Sequence, residues 1–301
     1  MNQANQERKI IVSIGMPVYN GEKYIRDALD SLLNQSITEF ELIISDNAST
    51  DNTETICRGY AEEDARIKYF RQSVNLGAAA NFQFVLNKAC GRYFMWAACD
   101  DKWSGDWIQD MLESLQDTGA EMAFGKVVHI DSNGALIDHP ANYASFSFMG
   151  SALIRRVNFY LGYEALGKAN VIGCLYDMAM RGELNIMLME CISGQCKFDY
   201  TLIYNSLKCG ELVEAKQGYL YKRLHDESEG SQNSVKGGNI FWSLRGISRK
   251  VWPFLPGLIG DYLSHSSVIE KAILILLLPV KSCMAYLFGL RQIILRIKNV
   301  E

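Results

Sequence analysis

Over the first 130 residues, short β-branched runs alternate with segments whose apolar residues recur at helical spacing. Lys9 to Val18 is a β-branched run stopped by Pro17, and Gly21 to Asn34 puts Ile25, Ala28, Leu29, Leu32 and Leu33 on one helical face. Phe40 to Ser45 predicts a second strand. Asp51, with Glu54 three residues on, predicts a capping box for the next helix. Ile67 to Phe70 predicts a third strand, Ala78 to Ala89 a helix, and Tyr93 to Cys99 a fourth strand, short and aromatic as in a buried parallel sheet. Ser104 stands where a cap is expected for a helix carrying Trp107, Ile108, Met111, Leu112 and Leu115 inward. Ala120 to Ile130 predicts a fifth strand, ended by the turn Asp131-Ser132-Asn133-Gly134. This alternation means βαβ units and a mostly parallel, Rossmann-like α/β sheet flanked by helices.

From 141 to 235 the pattern loosens. Val171 to Leu175 and Tyr219 to Leu224 read as strands, and Tyr200 to Leu207 as part of a helix. The Ser/Gly-rich stretch Ser231 to Gly238 reads as a linker or loop. Two apolar, basic segments follow, at 240–263 and 267–298. They give a division into 1–235, the main domain with halves 8–130 and 131–235, and a helical extension over 236–301.

The net charge of the 301-residue chain is −4, which argues against a nucleic-acid partner. That average hides a split: 236–301 carries nine Lys/Arg against three Asp/Glu, a net of +6, which leaves −10 on the first 235 residues. In the extension, Ala272 to Val280 and Ser282 to Leu290 are apolar but interrupted by Pro279 and Lys281, too broken for a span of about 20 residues. A helix lying in the plane of an anionic membrane surface is expected, with a hairpin packed on the main domain or on a second subunit of a homodimer as the alternative. The eight cysteines include no CxxC pair and no Cys/His zinc spacing, and Met1 to Arg8 lacks an apolar signal core. A reducing cytoplasm is the expected setting.

The candidate chemistry lies where strands end, since ligands of open α/β sheets bind beyond the carboxyl ends of the strands. Strand one ends in Pro17-Val18-Tyr19-Asn20, strand two in Asp46-Asn47-Ala48-Ser49-Thr50-Asp51, and strand four in Asp100-Asp101. Two adjacent acids can hold a hard divalent cation, and through it a diphosphate; the plainer alternative is an exposed acidic turn. There is no GxGxxG and no GxxxxGK[ST], so a nucleotide would be held by side chains and metal.

The segments PVYN (17–20), FELIISDNASTDNT (40–53), NLGAAANF (75–82) and WAACDDKW (96–103), in this order and spacing, resemble family 2 glycosyltransferases, which have the GT-A fold. The resemblance is strong over 8–130 and weak over 165–228. It implies a metal-dependent (Mn or Mg), inverting transfer of sugar from a nucleoside-diphosphate donor to an acceptor hydroxyl. With the basic tail, it implies a lipid-linked or oligosaccharide acceptor of cell-surface polysaccharide assembly, met at the inner face of the cytoplasmic membrane. Residue by residue, it implies that Tyr19 stacks on the base and Asp46 accepts from the base ring N–H. Pro17, Asn20, Asn75, Asp100 and Arg223 would complete the donor contacts, and Asp100, Asp101 and His225 the metal site. Asp199 would be the general base, with an N-cap as its alternative reading and Asp177 and Glu190 as weaker candidates.

The sequence departs from the family pattern twice. The usual Asp-x-Asp is here Ala98-Cys99-Asp100, and Asn81-Phe82 stands where many members carry an Arg. A non-catalytic nucleotide-sugar-binding subunit is therefore a rival reading. A sugar nucleotidyltransferase is another, although the first loop lacks the basic residue it needs.

Overall fold

The computed structural model describes residues 9–162, 166–193, 198–225 and 254–284. The expected linker at 231–238 and the ends of the basic extension lie outside them. Strands β1 (Val12–Val18), β2 (Phe40–Asp46) and β3 (Ile67–Arg71) alternate with helices α1 (Ile25–Leu33), α2 (Thr53–Glu63) and α3 (Ala78–Lys88). Then come β4 (Tyr93–Trp96), β5 (Lys102–Trp103), α4 (Trp107–Thr118), β6 (Met122–Ile130), α5 (Ala152–Leu161) and β7 (Leu175–Asp177). Helices α6 (Arg181–Ile192) and α7 (Phe198–Cys209), strand β8 (Leu212–Arg223), and helices α8 (Phe254–Ser264) and α9 (Val268–Leu276) follow. The sheet order is β3-β2-β1-β4-β7-β6-β8-β5. β3, β2, β1 and β4 are mutually parallel, β6 and β8 are parallel to each other, and β7 and β5 run against their neighbours.

Every residue of β2 is buried and β1 is buried apart from Pro17, as a strand covered on both faces requires. On one face α1 contributes Ile25, Ala28, Leu29 and Leu32. On α4, Trp107 lies against two glycines that leave room for it. A Cβ at Gly125 would come within 2.3 Å of Trp107 Cζ3, and one at Gly218 within 2.9 Å of its Cα.

Several local expectations are corrected. Tyr93 to Trp96 alone is strand, and the chain turns at Asp100. Lys168–Gly173 is a 3₁₀ helix, and the strand expected at Val171 to Leu175 begins only at Leu175. No capping box forms at α2: Asp51 accepts from the Thr53 N–H, but Glu54 turns to Arg58 and Arg71. Ser104 does not cap α4 with its side chain either, because its hydroxyl accepts from the Tyr219 N–H on β8 at 2.9 Å.

Helices α8 and α9 dock on the main body. Arg156 of α5, 2% exposed, reaches Glu270 of α9 at 2.6 Å and the His265 carbonyl at 2.6 Å, and lies 4.0 Å over the Tyr204 ring of α7. Glu270 also closes a capping box with Ser267, so one carboxylate starts α9 and fixes it to α5. Burial opposes its charge, but Ser267 and Arg156 outweigh burial and hold it below the usual carboxylate range.

On β6, His129 is buried 3.9 Å from the His139 ring, and its Nδ1–H donates to Asn142 Oδ1 at 2.7 Å. Burial, then the neighbouring His139, pushes His129 down to about 4. In the unfolded chain it takes up a proton near pH 6.5, so stability is full above about 6.5 and is lost as pH falls towards 4, by about 1.4 kcal/mol per unit. Urea unfolding between about pH 7.5 and about pH 5 should show the loss, and His129→Gln should remove part of that pH dependence. Identical acid sensitivity in the two proteins would assign the loss to other groups.

Candidate active site

The carboxyl ends of β1 and β2 are in register, Val18 opposite Asp46, and the loops beyond them are joined by hydrogen bonds. The Asn47 N–H donates to the Val18 carbonyl at 2.8 Å, Asn20 N–H to Ser49 Oγ at 2.9 Å, and Gly21 N–H to Thr53 Oγ1 at 2.8 Å. Asn20 Oδ1 accepts from the Thr50 N–H at 2.9 Å, so this predicted donor contact holds the second loop. Asn20 and Ala48 have φ of 52° and 62°, a left-handed turn that costs least at Asn. Gly21 admits no side chain, since a Cβ would lie 2.7 Å from Val18 and 3.2 Å from Cys99 Sγ. Tyr19 emerges from this braced turn 48% exposed, beside half-buried Pro17.

Asp46 is fully buried. One oxygen accepts from the Ser49 N–H at 2.8 Å, and the other from Tyr69 at 2.7 Å and Arg71 at 2.8 Å. The carboxylate expected to read a base therefore also fixes the loop after β2. Asn75 is exposed and accepts from Asn47 Nδ2 and the Gly77 N–H, both at 2.9 Å, which shapes the approach to α3.

The acidic turn splits the two acids between different tasks. Asp101 is 3% exposed and accepts from Lys222 Nζ at 3.0 Å and from the Arg223 N–H at 2.9 Å. Expected to share a cation with Asp100, it instead joins β8 to the turn. Asp100 Oδ2 faces His225 Nε2 at 3.0 Å. Arg223, expected on a diphosphate, is 1% exposed and also holds the loops. Its guanidinium donates to the carbonyls of Asp100 (2.9 Å), Asp131 (3.3 Å) and Ser132 (3.1 Å), and to Asp27 of α1 at 2.8 Å. The Tyr24 ring lies under both Arg223, at 4.6 Å, and His225, at 4.7 Å.

Charge separates the two acids further. Burial would raise Asp100, but Lys222 and His225 overcome it and hold this carboxyl low. Burial pushes Asp101 up to about 6, against the pull of Lys222 and helped by the charge of Asp100. Burial, reinforced by both acids, raises the Cys99 thiol well above its ordinary range, so neither Cys99 nor Ala98, which stands in place of the usual first acid, carries a charge.

Asp199 lies in the first turn of α7, half-buried. Burial would lower Lys222, but the charges of Asp101, Asp100 and, last, Asp199 raise it. The weaker candidates are elsewhere. Asp177 pairs with Tyr93 at the opposite end of β4 and caps the turn after β7, and Glu190 meets His265 at 3.3 Å.

Asp100 Oδ2 and His225 Nε2 lie 3.0 Å apart, and a charged carboxylate oxygen beside an imidazole nitrogen is a donor pair that would suit a divalent cation. Among the described residues no cluster of three or more His, Cys, Asp or Glu could hold a metal. Sequence reasoning missed Lys222, Tyr24 and Asp27. Only the alternation of Tyr221-Lys222-Arg223, which puts neighbours on opposite faces of a strand, hinted at Lys222.

A profile described as glycosyl transferase family 2 matches residues 13–183, more than half of the chain, and the protein belongs to that family. A Bacillus subtilis (strain 168) protein named for teichuronic acid biosynthesis, the glycosyltransferase TuaG, is 28% identical over 242 residues, 72% of this chain and 90% of its own length. An uncharacterized glycosyltransferase of Haemophilus influenzae is 26% identical over 244 residues, 81% of this chain and 86% of its own. Residues 1–349 of S. aureus TarS, crystallised with UDP-GlcNAc, superpose with a TM-score of 0.59 at 17% identity, covering 88% of this chain and 69% of that one. The fold is therefore GT-A, as the resemblance implied.

Because the Arg223 guanidinium joins four acceptors from three separate parts of the fold, Arg223→Met should destabilise the protein by about 3 kcal/mol or more. Arg223→Lys should recover only part of that, since an ammonium cannot span the same fork. Urea midpoints measure both, and a Met variant as stable as the parent would remove Arg223 from this role.

Proposed function

We propose that this glycosyltransferase moves a sugar from a nucleoside diphosphate to an acceptor hydroxyl, with inversion at the anomeric carbon, during assembly of a cell-surface polysaccharide. The relationship to TuaG, named for teichuronic acid biosynthesis, supports the product class, and TarS structures holding UDP-GlcNAc and UDP support the donor class. In this reading the acceptor is lipid-linked or an oligosaccharide, and the enzyme works from the cytoplasmic side of the membrane. Residues 1–235 are the catalytic domain, and 236–301 an extension whose described helices dock on it.

The observation that carries the mechanism is Asp100 Oδ2 facing His225 Nε2 at 3.0 Å beyond the strand ends, and the charge of Asp199, which adds to those of Asp101 and Asp100 in raising Lys222, supports its reading as the base. Tyr19 offers an exposed ring to the base, and Asp46 and Asn75 hold the loops that flank it. Asp199 takes the proton from the acceptor hydroxyl as that oxygen attacks the anomeric carbon. Asp100 and His225 would hold a divalent cation, and the chemistry it supplies is neutralisation of charge on the departing diphosphate. Asp101, Lys222 and Arg223 keep Asp100 in place. GalNAc-T7, crystallised with UDP, GalNAc and Mn²⁺, shares the fold at a TM-score of 0.53, 12% identity and coverage of 76% of this chain and 46% of its own.

Asp199→Asn preserves shape and cannot accept a proton, so turnover should fall by about 10²–10⁴ while donor affinity is kept. Near-normal turnover would return Asp199 to a capping role. A parent protein that binds donor yet neither transfers nor hydrolyses it would favour a binding-only subunit.

Tyr19→Ala should weaken nucleoside diphosphate binding by about 1–3 kcal/mol, the range of a base stacked on an aromatic ring. Calorimetry with UDP, dTDP, CDP and GDP tests this and identifies the base. Unchanged affinity for all four would remove Tyr19 from the site.

A further inference from the structure

The described end of the chain has two unlike faces. Inward, Leu274 is 1% and Lys281 3% exposed, and Glu270 is held by Arg156. Outward, Val268 is 83%, Ile269 71%, Ile275 57%, Leu276 77% and Val280 46% exposed, with exposed Ala272 among them. These positions recur every three to four residues, so on α9 and the helical residues 278–284 they form one stripe along the solvent side. Single exposed apolar residues are ordinary, but a contiguous stripe marks an interaction surface. The helix cannot roll to hide the stripe, because Glu270 both caps it and pairs with buried Arg156.

Charge selects the occupant. Residues 236–301 carry a net +6 against −10 for the rest of the chain, and 285–300 contain Arg291, Arg296 and Lys298 with no acid. As a segment of the sequence, 236–301 is repelled by a second copy of itself and attracted by an anionic lipid surface, which repels the acidic remainder. At 1.5 Å per residue, 268–284 is about 25 Å long. Among the described residues no helix is long and apolar enough to cross a membrane. A helix with these properties lies in the plane of the headgroups.

We propose that the outer stripe of α9 seats the protein in the headgroup boundary of an anionic bilayer. This deepens the transferase reading and rests on it for its purpose. α9 packs on α5 and α8 on α7, so a seated α9 would hold Asp199 at a fixed orientation to the surface that carries a lipid-linked acceptor.

Flotation of the full chain with vesicles of equal parts phosphatidylglycerol and phosphatidylcholine tests the proposal. The parent should float at low salt, bind less at high salt, and ignore pure phosphatidylcholine. The double variant Ile269→Glu with Leu276→Glu, both at exposed positions, should lose about tenfold or more of the partitioning while keeping the parent Tm and UDP affinity. A parent that stays with the soluble fraction, or a double variant that floats as well as the parent, would overturn it. So would a parent dimer in light scattering that the double variant converts to monomer without any vesicle binding. A parent that floats but binds no nucleoside diphosphate would support the lipid surface and overturn the transferase reading instead.

Discussion

The guanidinium of Arg223 is the constraint on which the candidate site depends. It sits at the end of β8, sealed from solvent, and draws together the turn after β4, the turn after β6 and the side of α1. Strands supply direction and spacing, but the loops beyond them would be free to spread. A rigid planar cation with several donors can bind acceptors that arrive from different directions. Its neighbour Lys222 points the other way and does the same for carboxylates, so two consecutive residues secure the backbone and the charge of one region.

That arrangement explains why adjacent acids differ. Asp100 keeps an oxygen towards His225 and is held in its charged form, whereas Asp101 is enclosed and its charge is tolerated only because Lys222 and a backbone N–H face it. Cys99 adds no charge.

Much of this could be read from the sequence, for identifiable reasons. β1, β2 and β4 are buried on both faces and are mostly apolar in sequence, while α1 and α4 carry clear helical stripes. The 3₁₀ turn at Lys168–Gly173 was not legible, because the short apolar stretch from Val171 to Leu175 that overlaps it fits a strand as well as a tight helix. Ser104 and Asp51 have cap-forming side chains whose partners lie elsewhere in space or in a different pattern, which local spacing cannot reveal. The same holds for Arg223: its place in a motif pointed towards a ligand, and only the fold brings Asp27 to it. Asp46 shows the overlap of both cases, a residue expected at the ligand that also has three neighbours to hold.

The bond between Arg223 and Asp27 spans 196 positions of the chain. Local pairings such as β1 with β2 can form while most of the polypeptide is still being made, but this one cannot. A nascent chain could carry a nearly complete parallel sheet and still have Asp101 buried without its cation and the acidic turn unsupported. Contacts of such long separation form late and slowly. During synthesis the nucleotide half is then the part with structure but without its finished site, and the arrival of β8 makes completion of the fold and completion of the site the same event.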